Sequence, residues 1–183
     1  MPAEEESKAK LKSSLDFRLM SLTYKFRDFI KPRRSILDDV DIGEGFHVLD
    51  YGCGPGSYIV PLAKLVGTSG KIHALDVHPL AIKAVRMLAS RRRLENVQTV
   101  LSDCDTGLPS HSVDVVLLYD ILHDLDNPDR VLAELHRVLK PGGILSLSDH
   151  HMKQDEIIFR VTNKGLFKLS RKGKRTYSFS KEA

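Results

Sequence analysis

Glycine recurs at alternate positions in Gly52-Cys53-Gly54-Pro55-Gly56, directly after the apolar run Val48-Leu49-Asp50-Tyr51. Glycine has no Cβ, so such a turn lets the backbone press against a ligand. Beyond it, Ile59, Val60, Leu62, Ala63, Leu65 and Val66 follow at helical spacing. Strand, glycine-rich turn and helix in that order constrain the chain to an α/β fold. They also predict a nucleotide-like ligand at the carboxyl end of a parallel strand.

The spacing separates two ligand classes. A dinucleotide site reads G-x-G-x-x-G, whereas here the pattern is G-x-G-x-G with Asp50 ahead of it. A carboxylate at that point repels a pyrophosphate and attracts a cationic or amine-bearing ligand. The stretch Val48–Tyr58 thus resembles motif I of the class I S-adenosylmethionine-dependent methyltransferases. The resemblance implies that Asp50, Gly52, Cys53 and Gly54 bind S-adenosyl-L-methionine.

Later landmarks fit the same family. Lys71–Asp76 reads as a second strand, and Asp76 stands 20 residues after Gly56. An acid at that distance accepts hydrogen bonds from ribose hydroxyls, with Val77 beside it in the cofactor loop. An N-cap for the helix beginning at Pro79 is the other role open to Asp76. Asn96–Leu101 is a third strand, followed by Asp103 and Cys104. In the family an acid here meets the adenine amino group and the next amide meets a ring nitrogen. An ordinary Asx turn is the alternative.

Val113–Asp120 is almost wholly apolar, as expected for a strand covered on both faces. Its end carries Tyr119, placed by the resemblance among the cofactor contacts. Asn127-Pro128 opens a helix with the buried stripe Val131, Leu132, Leu135, Val138 and Leu139. Lys140-Pro141-Gly142-Gly143 stops it, and Ile144–Asp149 is a fifth strand. The phrase Leu135–Gly143 is similar to a helix-to-strand junction common in small-molecule methyltransferases, including those of quinone biosynthesis. A helix over Gln154–Asn163 and strands over Leu166–Arg171 and Lys174–Ser180 follow, with Lys172-Gly173 as the tight turn. The expected architecture is a doubly wound, mostly parallel seven-stranded sheet with a C-terminal antiparallel hairpin. Residues 35–183 are expected to form the cofactor-binding domain, and residues 1–34 a helical segment rich in Leu and Phe, either a lid with Tyr24 near the substrate or a helix docked permanently on the sheet or at an oligomer contact.

Composition narrows the setting. No apolar run is long enough to span a bilayer, and Met1–Glu6 lacks a signal core. The only cysteines, Cys53 and Cys104, suit a reducing, cytoplasmic environment. The net charge of +4 divides into +4 for residues 1–34, −6 for 35–151 and +6 for 152–183. The basic flanks are read either as solvated faces and a protected edge strand or as a surface for an anionic partner. No aromatic-and-basic pattern of a nucleic-acid module is present. The resemblance to the small-molecule branch implies a small-molecule substrate, with room for a homo-oligomer or partner subunit.

Methyl transfer from a sulfonium is an in-line displacement that demands alignment and exclusion of water. A base helps when the nucleophile arrives protonated. His123 is the first candidate base, with Asp120 to orient it or to hold an amine, and His150 as a further catalytic candidate. Asp149 and His151 fall on the substrate side, and alternation would send His150 and His151 to opposite faces were the strand to persist. Family members that bind a catechol through magnesium carry Asp-Asn after the fifth strand. Asp149-His150-His151 departs from that, so no metal is expected. A cofactor-binding regulatory subunit without turnover and a nucleic-acid methyltransferase are the competing functions.

Overall fold

Successive residues of a strand face opposite sides, and in the computed structural model, which describes residues 34–182, that alternation sorts the core into two layers. On β1 (His47–Tyr51), Val48 joins one buried cluster while Leu49 and Tyr51 join the other. On β4 (Val113–Tyr119), Val115, Leu117 and Tyr119 face the first layer and Val116 and Leu118 the second. The first layer is covered by α1 (Arg34–Leu37), α2 (Ile59–Val66) and α3 (Pro79–Arg92), which contribute Leu37, Ile59, Leu62, Ile82 and Val85. The second is covered by α4 (Pro128–Val138) and α5 (Gln154–Thr162), which contribute Leu132, Leu135, Ile157 and Val161.

The remaining strands are β2 (Lys71–Asp76), β3 (Val97–Leu101), β5 (Leu139–Ser148), β6 (Phe167–Lys172) and β7 (Tyr177–Lys181). The sheet runs β3-β2-β1-β4-β5-β7-β6. β1 to β5 are parallel, and β7 is antiparallel to both β5 and β6. The chain order reverses between β1 and β4, so a cleft opens at the carboxyl ends of those two strands. This is the expected seven-stranded sheet with its final antiparallel pair.

Two local expectations need correction. Lys140–Gly143 does not separate α4 from β5. The strand begins at Leu139, which pairs with Val113, and Ile144 is the next to pair, with Val115, so the intervening residues form a bulge. Proline and glycine are accommodated within a strand at such a bulge. The hairpin turn is also longer than Lys172-Gly173. Lys172 pairs with Tyr177, and the Gly173 amide bonds the Thr176 carbonyl at 2.8 Å. Gly173 lies so close to Asp39 that an added Cβ would sit 2.7 Å from its Cγ.

The turn between β6 and β7 lies at the carboxyl edge of β5, because Tyr177 pairs with Leu147. There it fastens the segment that leads in from the N-terminus. The Arg175 amide donates to Asp39 Oδ2 at 2.7 Å, Arg175 Nη1 reaches Ser35 Oγ at 2.9 Å, and Arg171 bonds the Asp39 carbonyl. Arg171 also pairs with Asp41 at 3.2 Å, so part of the C-terminal positive charge is engaged internally. The expected lid, residues 1–34 with Tyr24, lies outside the described residues apart from Arg34.

Candidate functional site

The loops that follow β1, β2, β3, β4 and β5 meet along one edge of the sheet. After β1, Gly52, Gly54 and Gly56 all take positive φ, at 74°, 52° and 91°, a conformation that L side chains rarely adopt. The Gly52 and Cys53 amides both donate to the Leu75 carbonyl at 2.9 Å, and the Gly54 amide donates to Asp76 Oδ2 at 2.8 Å. The glycine turn is thus tied to the end of β2 by backbone bonds. A Cβ on Gly52 would come within 3.1 Å of Ile121 in the loop after β4, so this glycine lets the two loops approach.

Asp76 accepts from the His78 amide through Oδ1 at 2.8 Å and from Gly54 through Oδ2. A carboxylate oxygen has more than one lone-pair direction, so accepting a backbone amide does not by itself exclude a ligand hydroxyl. The N-cap role weighed for Asp76 belongs instead to His78, whose Nδ1 accepts from the Leu80 amide at 3.1 Å. Next to Asp76 two apolar side chains stand open, Val77 at 60% and Leu101 at 55% exposure. Asp76 and Leu101 are register partners, so an apolar rim lies beside the carboxylate.

After β3, Asp103 is exposed and Cys104 is buried. The Asx turn weighed for Asp103 is made by Asp105, whose Oδ1 accepts from the Gly107 amide at 3.0 Å. The Cys104 amide donates to Ser102 Oγ at 3.2 Å. Two braces that the sequence did not reveal hold this loop. Tyr51 donates its hydroxyl to the Asp103 carbonyl at 2.5 Å. Glu134 of α4 accepts from the Thr106 amide at 3.0 Å and from Arg137 Nε and Nη2 at 2.7 and 2.8 Å. The Arg137 guanidinium holds the Glu134 carboxyl down at about 2, against the opposing effect of burial and with help from Thr106. The spacing of Glu134 and Arg137, one helical turn apart, was the available signal.

Asp50 and Tyr119 lie beneath the glycine turn. Asp50 is 2% exposed. Burial pushes the Cys53 thiol up, and the charges of Asp50 and Asp76 push it further. Tyr119 is buried with its ring against Tyr58 and its hydroxyl 2.8 Å from Ser146 Oγ. Burial raises its phenol above the ordinary range.

Beyond them, the loops after β4 and β5 hold each other by crossed pairs. Asp149, after β5, receives both the ring Nδ1 of His123 at 2.8 Å and its amide at 3.1 Å, on the same oxygen. Its other oxygen accepts from the His151 amide at 3.0 Å. Asp120, after β4, receives the ring Nδ1 of His150 at 2.7 Å and its amide at 3.3 Å. Asp149 rather than Asp120 is therefore the partner of His123. β5 ends at Ser148, so strand alternation does not govern His150 and His151; their rings meet at a 43° tilt with centroids 3.9 Å apart. The His151 ring also lies against that of His123, at 4.4 Å and a 44° tilt. Burial opposes ionisation of Asp149, but the bonds from His123 and His151 outweigh it and hold the carboxyl below its usual range. An ionised carboxylate only accepts, so the His123 Nδ1 carries a proton, and in the neutral ring Nε2 is the acceptor.

A family model for a methyltransferase domain matches residues 42–179. The chain is 30% identical to the demethylmenaquinone methyltransferase of Geobacillus stearothermophilus over 132 residues, covering 72% of this chain and 56% of that protein. It is 36% identical to aklanonic acid methyltransferase DauC of Streptomyces sp. (strain C5) over 116 residues, covering 60% of this chain and 51% of that one. The chain thus spans about half the length of these curated relatives. Among solved structures, a SAM dependent methyltransferase from Aquifex aeolicus superposes with a TM-score of 0.73 at 25% identity, covering 85% of this chain and 96% of that one.

Proposed function

This chain belongs to the class I S-adenosylmethionine-dependent methyltransferases, and we propose that it transfers a methyl group from S-adenosylmethionine to a small protic acceptor. The observation that carries the reading is the adjacency of two devices on neighbouring strand ends. One is the glycine turn bound to Asp76, and the other is the His123–Asp149 pair. Gly52 also packs against Ile121, one residue before the turn that carries His123.

The residues fit the cofactor. The three positive-φ glycines bring backbone close to it, Asp76 accepts the ribose hydroxyls, and Val77 and Leu101 flank the adenine. Asp103 receives the exocyclic amine, while Cys104, Asp50 and Tyr119 complete the floor of the cleft. Bound there, S-adenosylmethionine supplies an electrophilic methyl group on a sulfonium. His123 takes the acceptor's proton at Nε2 as the new bond to carbon forms and the carbon–sulfur bond breaks, leaving S-adenosylhomocysteine. Asp149 fixes the tautomer of His123 and stabilises the imidazolium. Asp120, His150 and His151 border the acceptor. Arg171 and Arg175 fasten Ser35 and Asp39 to this edge, and residues 1–34, including Tyr24, are the proposed cover of the acceptor.

The relatives named for demethylmenaquinone and aklanonic acid support a small-molecule acceptor. The test is a screen of phenolic and quinol acceptors with the wild-type chain and His123→Ala. The reading expects turnover to fall on the order of a hundredfold or more in the variant, with S-adenosylhomocysteine affinity unchanged. Binding of S-adenosylmethionine without turnover on any acceptor would favour a regulatory subunit instead.

A further inference from the structure

Asp120 is one of three non-glycine residues with positive φ among those described, at 55°. Strain of this kind persists only where the surroundings over-determine it. Here the Asp120 amide donates to the Ser148 carbonyl at 2.7 Å while the carboxylate takes both the amide and the Nδ1 of His150. The strained backbone therefore presents an acid across two strands to a histidine. That contact mirrors the Asp149 grip on His123, in which one carboxylate oxygen takes the same two donors.

The mirror has a chemical consequence. In both pairs the carboxylate occupies the Nδ1 edge, so each imidazole carries a proton on Nδ1 and, in its neutral form, offers Nε2 as an acceptor. Among the described residues no hydrogen bond engages Nε2 of either ring. The His151 ring touches both, with centroids at 4.4 and 3.9 Å, so the outer rings lie no further apart than the sum of those spacings. One imidazole suffices to take a proton from a nucleophile, and the second stands more open, its side chain 62% exposed against 32% for His123, so a ligand can reach its Nε2.

We propose that His150, oriented by Asp120, is a positioning residue that accepts a hydrogen bond from a second protic group of the acceptor, so that the substrate class is small molecules carrying two hydroxyl or amino donors. This rests on the reading of His123 as the base. The two pairs then fix the acceptor at two points, and His123 acts on only one of its donors.

The test uses the full chain, saturated with S-adenosylhomocysteine, labelled with nitrogen-15 at histidine and kept in chelator. Long-range nitrogen–proton correlation spectra should show the Nδ1–H tautomer at both His123 and His150. Asp120→Asn should change the pattern of His150 and leave that of His123 in place. Catechol or hydroquinone should then perturb the Nε2 signals of both rings and bind about fivefold tighter than phenol. Asp120→Asn should erase that advantage. An Nε2–H tautomer at His150, equal binding of one-donor and two-donor probes, or no binding of any probe would overturn the proposal. Normal turnover in His123→Ala would remove the base yet leave the His150 tautomer unaffected, so the two failures are distinguishable.

Discussion

Glu134→Gln tests how far a helix outside the cleft controls the ligand loop. The native carboxylate accepts from the Thr106 hydroxyl and amide and from two nitrogens of Arg137. Arg137 Nη2 in turn bonds the Leu108 carbonyl at 2.8 Å, so the loop after β3 is held from both sides. The grip of Arg137, opposed by burial and reinforced by Thr106, lowers the carboxyl from an ordinary 4.5 to about 2. At about 1.4 kcal/mol per tenfold change in proton affinity, that is roughly 3 kcal/mol of stability. The Arg137 side chain is 40% exposed, and solvent screening trims this to about 2 kcal/mol. The folded-state value is depressed, so the contribution is complete above about 4.5 and is lost as pH falls toward 2. Urea unfolding of the wild type and Glu134→Gln at pH 7 should therefore differ by about 2 kcal/mol, with more than half of the gap gone near pH 3. Affinity for S-adenosylhomocysteine should fall severalfold in the variant because Asp103 and Cys104 sit on the same loop. A gap independent of pH, or no gap at pH 7, would refute the reasoning.

Other outcomes follow from the same structure. Burial, followed by the neighbouring charges of His47 and Lys71, lowers His73 from 6.5 to about 4. The unfolded chain then binds the proton first, so stability falls as pH drops from about 6.5 to 4, by up to roughly 3 kcal/mol. His73→Leu should flatten that slope, and an unchanged pH profile of unfolding would count against it. Deleting residues 1–33 should reduce turnover on the order of tenfold or more by admitting water to the cleft, with little change in melting temperature. Equal loss of activity and stability would mean that the segment is part of the folded core and not a cover.

What the sequence disclosed about this chain was the information held locally. The strand–glycine turn–helix unit, the acid ending β2 and the buried stripe of α4 depend on spacing alone, and the sheet reproduces each of them. The apolar run of β4 likewise marked a strand buried on both faces. Information carried between segments was not legible. Whether His123 answers to Asp120 or Asp149 depends on where β5 stops, and the chain turns immediately after Ser148. The bulge at Lys140–Gly143 resembles a plain helix stop because proline and glycine serve both purposes. The hairpin turn lies beyond Lys172-Gly173 because Gly173 is pressed against Asp39, more than a hundred residues away in sequence. Tyr51 looked like one more apolar residue of β1 until its hydroxyl met the Asp103 carbonyl.

The central claim is that the glycine turn and Asp76 form an adenosyl site. Calorimetric titration with S-adenosylmethionine, S-adenosylhomocysteine and NAD, beside an Asp76→Ala control, tests it most directly. The account predicts that both adenosyl ligands bind, that NAD does not, and that the substitution abolishes binding. Absence of adenosyl binding, or a preference for NAD, would contradict it.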